Sequence, residues 1–334
     1  MYELNAEKQY RSVINRLAAT LLIFLGLTNT LSMIKMGLSY VWEDYLNAVA
    51  FEVVDSLSGS VVYALGFMLP VCFYRMMSHG KVNEPMKLSP KLPRATFAYV
   101  FAGMAVILAA AYLNHYMISF TGYDQFSAEF LWTESYDTPY SIMLSLVSMA
   151  IVPAFVEEFL FRGLIQTNLR PFGRGTAIVG SAVLFGMMHQ NIEQIFYSTV
   201  AGLVLAYIYE VTDSIWCSIL LHFFNNTFSV FESTVSAHWN TAVAARVCTL
   251  AEGAIFGIGA ICLIWLICRK KKEPDFSHGC FEQSFPMASD YAPFELSGEQ
   301  KVKLFFSPMM IAYTVITLST MILYLVMAVV MYGG

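Results

Sequence analysis

Nine apolar stretches, each near the length of a bilayer crossing, lie along this 334-residue chain and restrict its fold more than any other feature. They run Leu17–Ile34, Leu57–Tyr74, Ala95–Ile118, Pro139–Leu169, Thr176–Gln190, Gln194–Tyr209, Ser214–Phe231, Val247–Cys268 and Leu304–Tyr332. A crossing helix needs about 20 residues, so the fifth and sixth are short enough to be half-buried. Backbone inside hydrocarbon must satisfy its own hydrogen bonds, and runs of this length do so as helices. The expected fold is all-α, a polytopic membrane helix bundle of about 8–9 transmembrane helices. Composition agrees: only 13% of residues are charged and 57% are hydrophobic, whereas a soluble domain carries about 25% charged residues.

Charge placement gives an orientation. With the N-terminus in the cytoplasm, Lys8, Arg11 and Arg16 lie inside, as do Arg75 to Arg94, Arg162 to Arg174, and the basic residues from Arg269 to Lys303. Of the 19 Lys and Arg residues only Lys35 and Arg246 then fall outside, as the positive-inside rule requires. The connection that should be outside carries Asp124, Glu129, Glu134 and Asp137 without a cation. Nine crossings place the C-terminus outside. The first apolar run has no small-residue cleavage site behind it and reads as a retained span.

Other classes are excluded early. A net charge of −5 without a long basic tract argues against nucleic acid as a partner. The six cysteines are scattered, five within apolar stretches, and read as small buried hydrophobes. The chain reads as one transmembrane domain over 1–334, with a chemical core over 139–231. The 269–303 connection, with Pro274, Pro286 and Pro293 among aromatic residues, reads as a cytoplasmic linker.

Ionisable groups inside a bilayer mark function by default, and here they collect in three pieces. The first is Glu157-Glu158-Phe159-Leu160-Phe161-Arg162, the second Phe185 to His189, the third His222 to Asn226. Glu158 and Arg162 are i and i+4, so they share a helix face and can pair. Glu157, about 100° away, is left to face another helix. Phe185 and His189 share a face, as do His222 and Asn226. Helix rise puts Glu157, His189 and His222 at compatible depths of about 12–20 Å. A structural role as interhelical hydrogen-bonding residues is the competing reading; an unpaired carboxylate beside two imidazoles and an amide fits a reactive site better.

Peptide hydrolysis needs a base for water and donors for the developing oxyanion. Glu157 assisted by His189 can serve as the first, His222 and Asn226 as the second. Alternatively Glu157, His189 and His222 can bind Zn²⁺, although no H-E-x-x-H motif is present.

The three pieces in this order resemble the CPBP family of intramembrane proteases, which includes CAAX prenyl endopeptidases and bacterial Abi or bacteriocin-processing proteins. Its pattern E-E-x-x-x-R, F-x-x-x-H and H-x-x-x-N is met by Glu157, Glu158 and Arg162, by Phe185 and His189, and by His222 and Asn226. The resemblance covers roughly Pro139 to Phe231 and takes in Gly163 and Ser218 to Leu221. It implies an endopeptidase with an intramembrane cavity, Glu157 and His189 activating water, and His222 with Asn226 as oxyanion partners. Its members are described as both metallo- and glutamate proteases; Asn226 is a poor fourth metal ligand, so no cofactor is expected to be required, with zinc the alternative. The implied partners are a peptide or protein substrate at the membrane, prenylated or not, and the bilayer itself; no obligate oligomer is implied. A proton-coupled transporter would be expected to show inverted repeats, which are not seen here. A non-catalytic immunity or scaffold protein would usually lack one of the key residues.

Overall fold

In the computed structural model, which describes residues 2–78, 92–121, 136–272 and 296–332, every regular element is a helix. In chain order these are α1 (Tyr2–Tyr45), α2 (Ala48–Met77), α3 (Thr96–Thr121), α4 (Pro139–Phe172), α5 (Arg174–Met188) and α6 (Ile192–Thr212). After them come α7 (Ile215–His238), α8 (Thr241–Lys272), α9 (Gly298–Phe305) and α10 (Pro308–Tyr332). Eight of the nine apolar stretches each centre on one helix; the ninth, Leu304–Tyr332, is broken at Phe306–Ser307 between α9 and α10. Seven of the helices are long and apolar enough to cross a membrane, which makes this an integral, multi-pass membrane protein.

Three helices fall outside those seven: α9, with only eight residues, and α5 and α7 for different reasons. α5 has 15 residues, or about 22 Å of rise, against a hydrocarbon core of about 30 Å. α7 is long enough at 24 residues, but His222, Asn225, Asn226 and Glu232 dilute its apolar character. The sixth stretch, which looks short in sequence, belongs to a full 21-residue helix. The 269–303 linker is helical at both ends, through α8 to Lys272 and from Gly298 in α9. Its remainder at 273–295, like Asp124, Glu129 and Glu134, lies outside the described residues.

The buried core gathers around α4. Leu160, Phe161, Leu164 and Ile165 pack in one cluster with Ile14, Leu17 and Leu21 of α1 and Phe67 of α2. Leu184 and Phe185 of α5, Leu205 of α6 and Leu221 of α7 complete it. α8 is peripheral, with 6% of its apolar window buried. At one end of the bundle Tyr10 packs edge-on against Phe172, Arg16 lies over the Tyr74 ring, and Gln300 reaches Glu7. Arg170 pairs there with Glu210 at 2.9 Å. The N-terminal helix, the end of α2, the end of α4 and the start of α9 thus meet at a common end.

α5 and α6 approach closely because glycines line their contact. A Cβ on Gly202 would stand 3.1 Å from the Ala182 backbone, and one on Gly186 only 2.9 Å from the Ile195 carbonyl and 1.9 Å from Thr199 Oγ1. Gly186→Ala is therefore expected to destabilise by about 1–3 kcal/mol, the range for overpacking. Thermal unfolding in detergent checks this; an unchanged melting temperature would show that the two helices separate without loss.

α4 is not a uniform α-helix. It widens into π-helical turns at Leu146–Ile151 and Phe159–Gln166. Wide turns of this kind are frequent at functional sites. Pro153, which has no N–H, lies just beyond the first. In the second, Thr167 Oγ1 donates to the Arg162 carbonyl at 2.9 Å. These turns flank the two glutamates.

Candidate active site

A carboxylate is stable in hydrocarbon only when charge and hydrogen bonds surround it, and α4 provides the first of these locally. Arg162 Nη1 donates to Glu158 Oε1 at 2.8 Å, and both side chains are fully buried. The guanidinium also donates through Nη2 to the Gly202 carbonyl at 3.0 Å and lies over the Phe185 ring at 4.7 Å. The i, i+4 pair expected from the sequence is present, and α5 and α6 hold its cation.

Glu158 does more than neutralise Arg162. His222 Nδ1 stands 3.0 Å from the same Oε1 atom, so the carboxylate accepts from both and fixes the imidazole. That leaves Nε2 of His222 facing Glu157, 3.8 Å from Oε2. Glu157 is also buried, at 4% exposure. Its Oε1 accepts a 2.5 Å hydrogen bond from Tyr63 Oη on α2. Its Oε2 has no hydrogen-bond partner among the described residues.

His189 caps the C-terminal end of α5. There its Nδ1 lies 2.9 Å from the Phe185 carbonyl, an acceptor only, so Nδ1 carries the proton. Phe185 stands edge-on to both imidazoles, 5.1 Å from His189 and 5.9 Å from His222. The imidazole closest to Glu157 is thus His222; His189 lies within electrostatic range of both.

Asn226 sits one turn beyond His222, and both side chains reach α4. Asn226 Nδ2 donates to the Met149 carbonyl at 2.9 Å, the acceptor that the missing N–H of Pro153 would serve in an α-helix. A short relay sets its other side: Tyr197 Oη donates to Asn225 Oδ1 at 3.0 Å, and Asn225 Nδ2 donates to Asn226 Oδ1 at 3.2 Å. Glu157, Glu158, Arg162, His189, His222 and Asn226 thus occupy one region built from α4, α5 and α7.

Sequence reasoning missed Tyr63, Tyr197 and Asn225. Tyr63 left one trace: a phenol in the middle of an apolar span, where a buried Oη normally seeks a partner. It also missed a second buried network, where Gln166 Nε2 donates to the Ala206 carbonyl and to Glu210 Oε2. The signal there was Glu210, an acid near the end of a span.

Zinc deserves a test against these residues. Both imidazoles carry Nδ1 against an oxygen, which leaves the Nε2 edge turned outward as metal sites require. Yet no group of three or more His, Cys, Asp or Glu side chains is gathered closely enough to hold an ion among the described residues. The donor set does not fit a metal as it stands.

Fold and site together define an all-helical, multi-pass membrane protein with a buried Glu–Arg–His cluster. Residues 139–228 match the family of type II CAAX prenyl endopeptidases, Rce1-like, and every one of the six residues above lies in that segment. The chain is also similar to the "Putative membrane peptidase YdiL" of Bacillus subtilis (strain 168), 31% identical over 100 residues. That alignment takes in 28% of this chain and spans 39% of the relative's length. No solved structure matches. The resemblance to CPBP proteases read from the sequence is therefore supported by both comparisons, over the segment they cover.

Proposed function

We propose that this protein is an intramembrane endopeptidase of the CAAX type, and that Glu157 is its general base. The observation that carries the reading is the asymmetry of the Glu157 carboxylate, with one oxygen tied to Tyr63 and the other unpartnered beside His222. Glu158 also leaves its Oε2 unpartnered, but Arg162 on the same helix neutralises its charge, whereas Glu157 has no Lys or Arg within ion-pair distance among the described residues.

In this reading a water on Oε2 gives its proton to Glu157 as its oxygen attacks the scissile carbonyl carbon. His189, held at Nδ1 by the Phe185 carbonyl, orients that water through Nε2. The carbonyl oxygen gains charge and is met by Asn226 Nδ2 and by the His222 imidazole. Preorganised donors of this kind are worth about 10²–10³ in rate. Glu157 then returns the proton to the leaving nitrogen as the C–N bond breaks. The N-terminus is placed in the cytoplasm by the charge rule, with the Arg170–Arg174 end on the same side.

The test is comparative peptidomics of membranes holding the parent protein or Glu157→Ala. A membrane-associated peptide or protein that accumulates uncleaved in the variant supports the reading and identifies the substrate. Identical peptide sets would overturn it. Quenched fluorescent CAAX peptides, with and without a farnesyl group, then separate prenylated from unprenylated substrates.

The same preparation addresses the metal. Activity is expected to survive extensive dialysis against a chelator, because Glu157 and His189 act on water directly. Metal content by mass spectrometry is measured on the treated sample. Stoichiometric zinc whose removal and return switches activity off and on would make His189 and His222 ligands instead.

A further inference from the structure

We propose that Tyr63, on a helix outside the segment matched to the protease family, is a positioning residue for Glu157. The proposal rests on the reading of Glu157 as the base. Tyr63 lies 94 positions upstream, and its hydroxyl donates to Glu157 Oε1 at 2.5 Å. This hydrogen bond ties the N-terminal hairpin to the glutamates, and by occupying Oε1 it leaves Oε2 to meet water.

Three features make the contact a built one. Tyr63 is braced within α2, its ring 4.7 Å from that of Phe67, and Phe67 in turn packs edge-on at 4.7 Å against Phe24 of α1. Phe67 is 1% exposed and Phe24 4% exposed, so the stack is anchored in the core. On the other side, the wide turn beginning at Phe159 and the Glu158–Arg162 pair hold α4. A phenol on a rigid ring confines the carboxylate to one rotation about its last bond, since one oxygen is tethered. The second oxygen then points where a base is useful, beside the His222 Nε2 atom at 3.8 Å. A carboxylate free to rotate would spend part of its time with neither oxygen directed at the water, and positioning errors of this kind lower rates strongly.

Tyr63→Phe removes the hydroxyl and keeps the ring on Phe67. Hydrogen bonds to charged groups are worth enough to expect a fall in kcat of about 10- to 100-fold. KM is expected to be unchanged, because the lost contact is to the base and not to substrate. The melting temperature in nanodiscs is expected to stay near that of the parent. A double-mutant cycle with Glu157→Asp supplies the reading a structural role would not move. With the carboxylate withdrawn by one methylene, removing the Tyr63 hydroxyl should change kcat less than 3-fold, a failure of additivity that marks coupling.

A substrate-free arm uses infrared difference spectra of purified protein. The parent-minus-Tyr63→Phe difference is expected to contain a glutamate carboxylate band that is missing from the same difference taken in Glu157→Gln protein. Identical differences in the two backgrounds would overturn the proposal. So would unchanged turnover of the farnesylated CAAX peptide by Tyr63→Phe while Glu157→Gln is inactive. If instead Glu157→Gln keeps its turnover, the protease reading of Glu157 fails, and the proposal that Tyr63 positions a base fails with it.

Discussion

Glu157→Gln is expected to lower turnover by about 10²-fold or more, the scale of losing a general base, while the protein inserts and folds as before. The substitution is nearly isosteric, and the amide oxygen can still accept from Tyr63 Oη. The second position, unpartnered in the parent, becomes a neutral NH₂ beside His222. Removing a buried negative charge gives no reason for lost stability, so the melting temperature should be held or slightly raised. This separation of activity from folding is what distinguishes a reactive carboxylate from a helix-joining one. Turnover like that of the parent, measured on the same purified protein, would remove Glu157 from the mechanism.

Arg162→Ala is expected to do the reverse and act first on stability. Its guanidinium serves Glu158 Oε1, the Gly202 carbonyl and the face of Phe185 at once. Without it Glu158 remains fully buried, with the His222 imidazole beside its Oε1. Breaking a buried pair from one side destabilises by about 3–5 kcal/mol. Expression and detergent melting temperature should both fall. Lysine should restore little, since one ammonium cannot reproduce the planar fork that reaches two acceptors. Replacing both members, as Glu158→Gln with Arg162→Met, should recover much of the stability, because the uncompensated charge is gone. Equal melting temperatures for Arg162→Ala and the parent would contradict this account.

The features legible in the sequence were those set by short separations or by the bilayer. Span positions follow from hydrocarbon thickness, and the stretches at 17–34 and 247–268 lie within α1 and α8. The Glu158–Arg162 pair follows from helical geometry alone, as does the contact of the Phe185 and His189 rings. The expectation that His222 and Asn226 face one neighbour was also local, and both meet α4. What periodicity could not reveal was which groups meet across helices. Nothing in the spacing says that His222 Nδ1 chooses Glu158, that Tyr63 reaches Glu157, or that Tyr197 and Asn225 set the amide of Asn226. Such contacts depend on helix rotation and depth. The wide turns in α4 alter that rotation from within, and only Pro153 hints at one of them.

The intrahelical nature of the Glu158–Arg162 pair also bears on biogenesis. A charged residue at the centre of an inserting helix is opposed by about 2.5–3.5 kcal/mol on the translocon scale, and α4 carries three of them near one another. Two can neutralise each other before any neighbour arrives, because both belong to the same helix. Glu157 has no such intrahelical partner, but α2 with Tyr63 is synthesised earlier and can be waiting in the bilayer. His222, on α7, emerges last. The order of helices along the chain therefore matches the order in which the charges of α4 need partners: one from within, one already inserted, and one that completes the cluster as the final central helix docks.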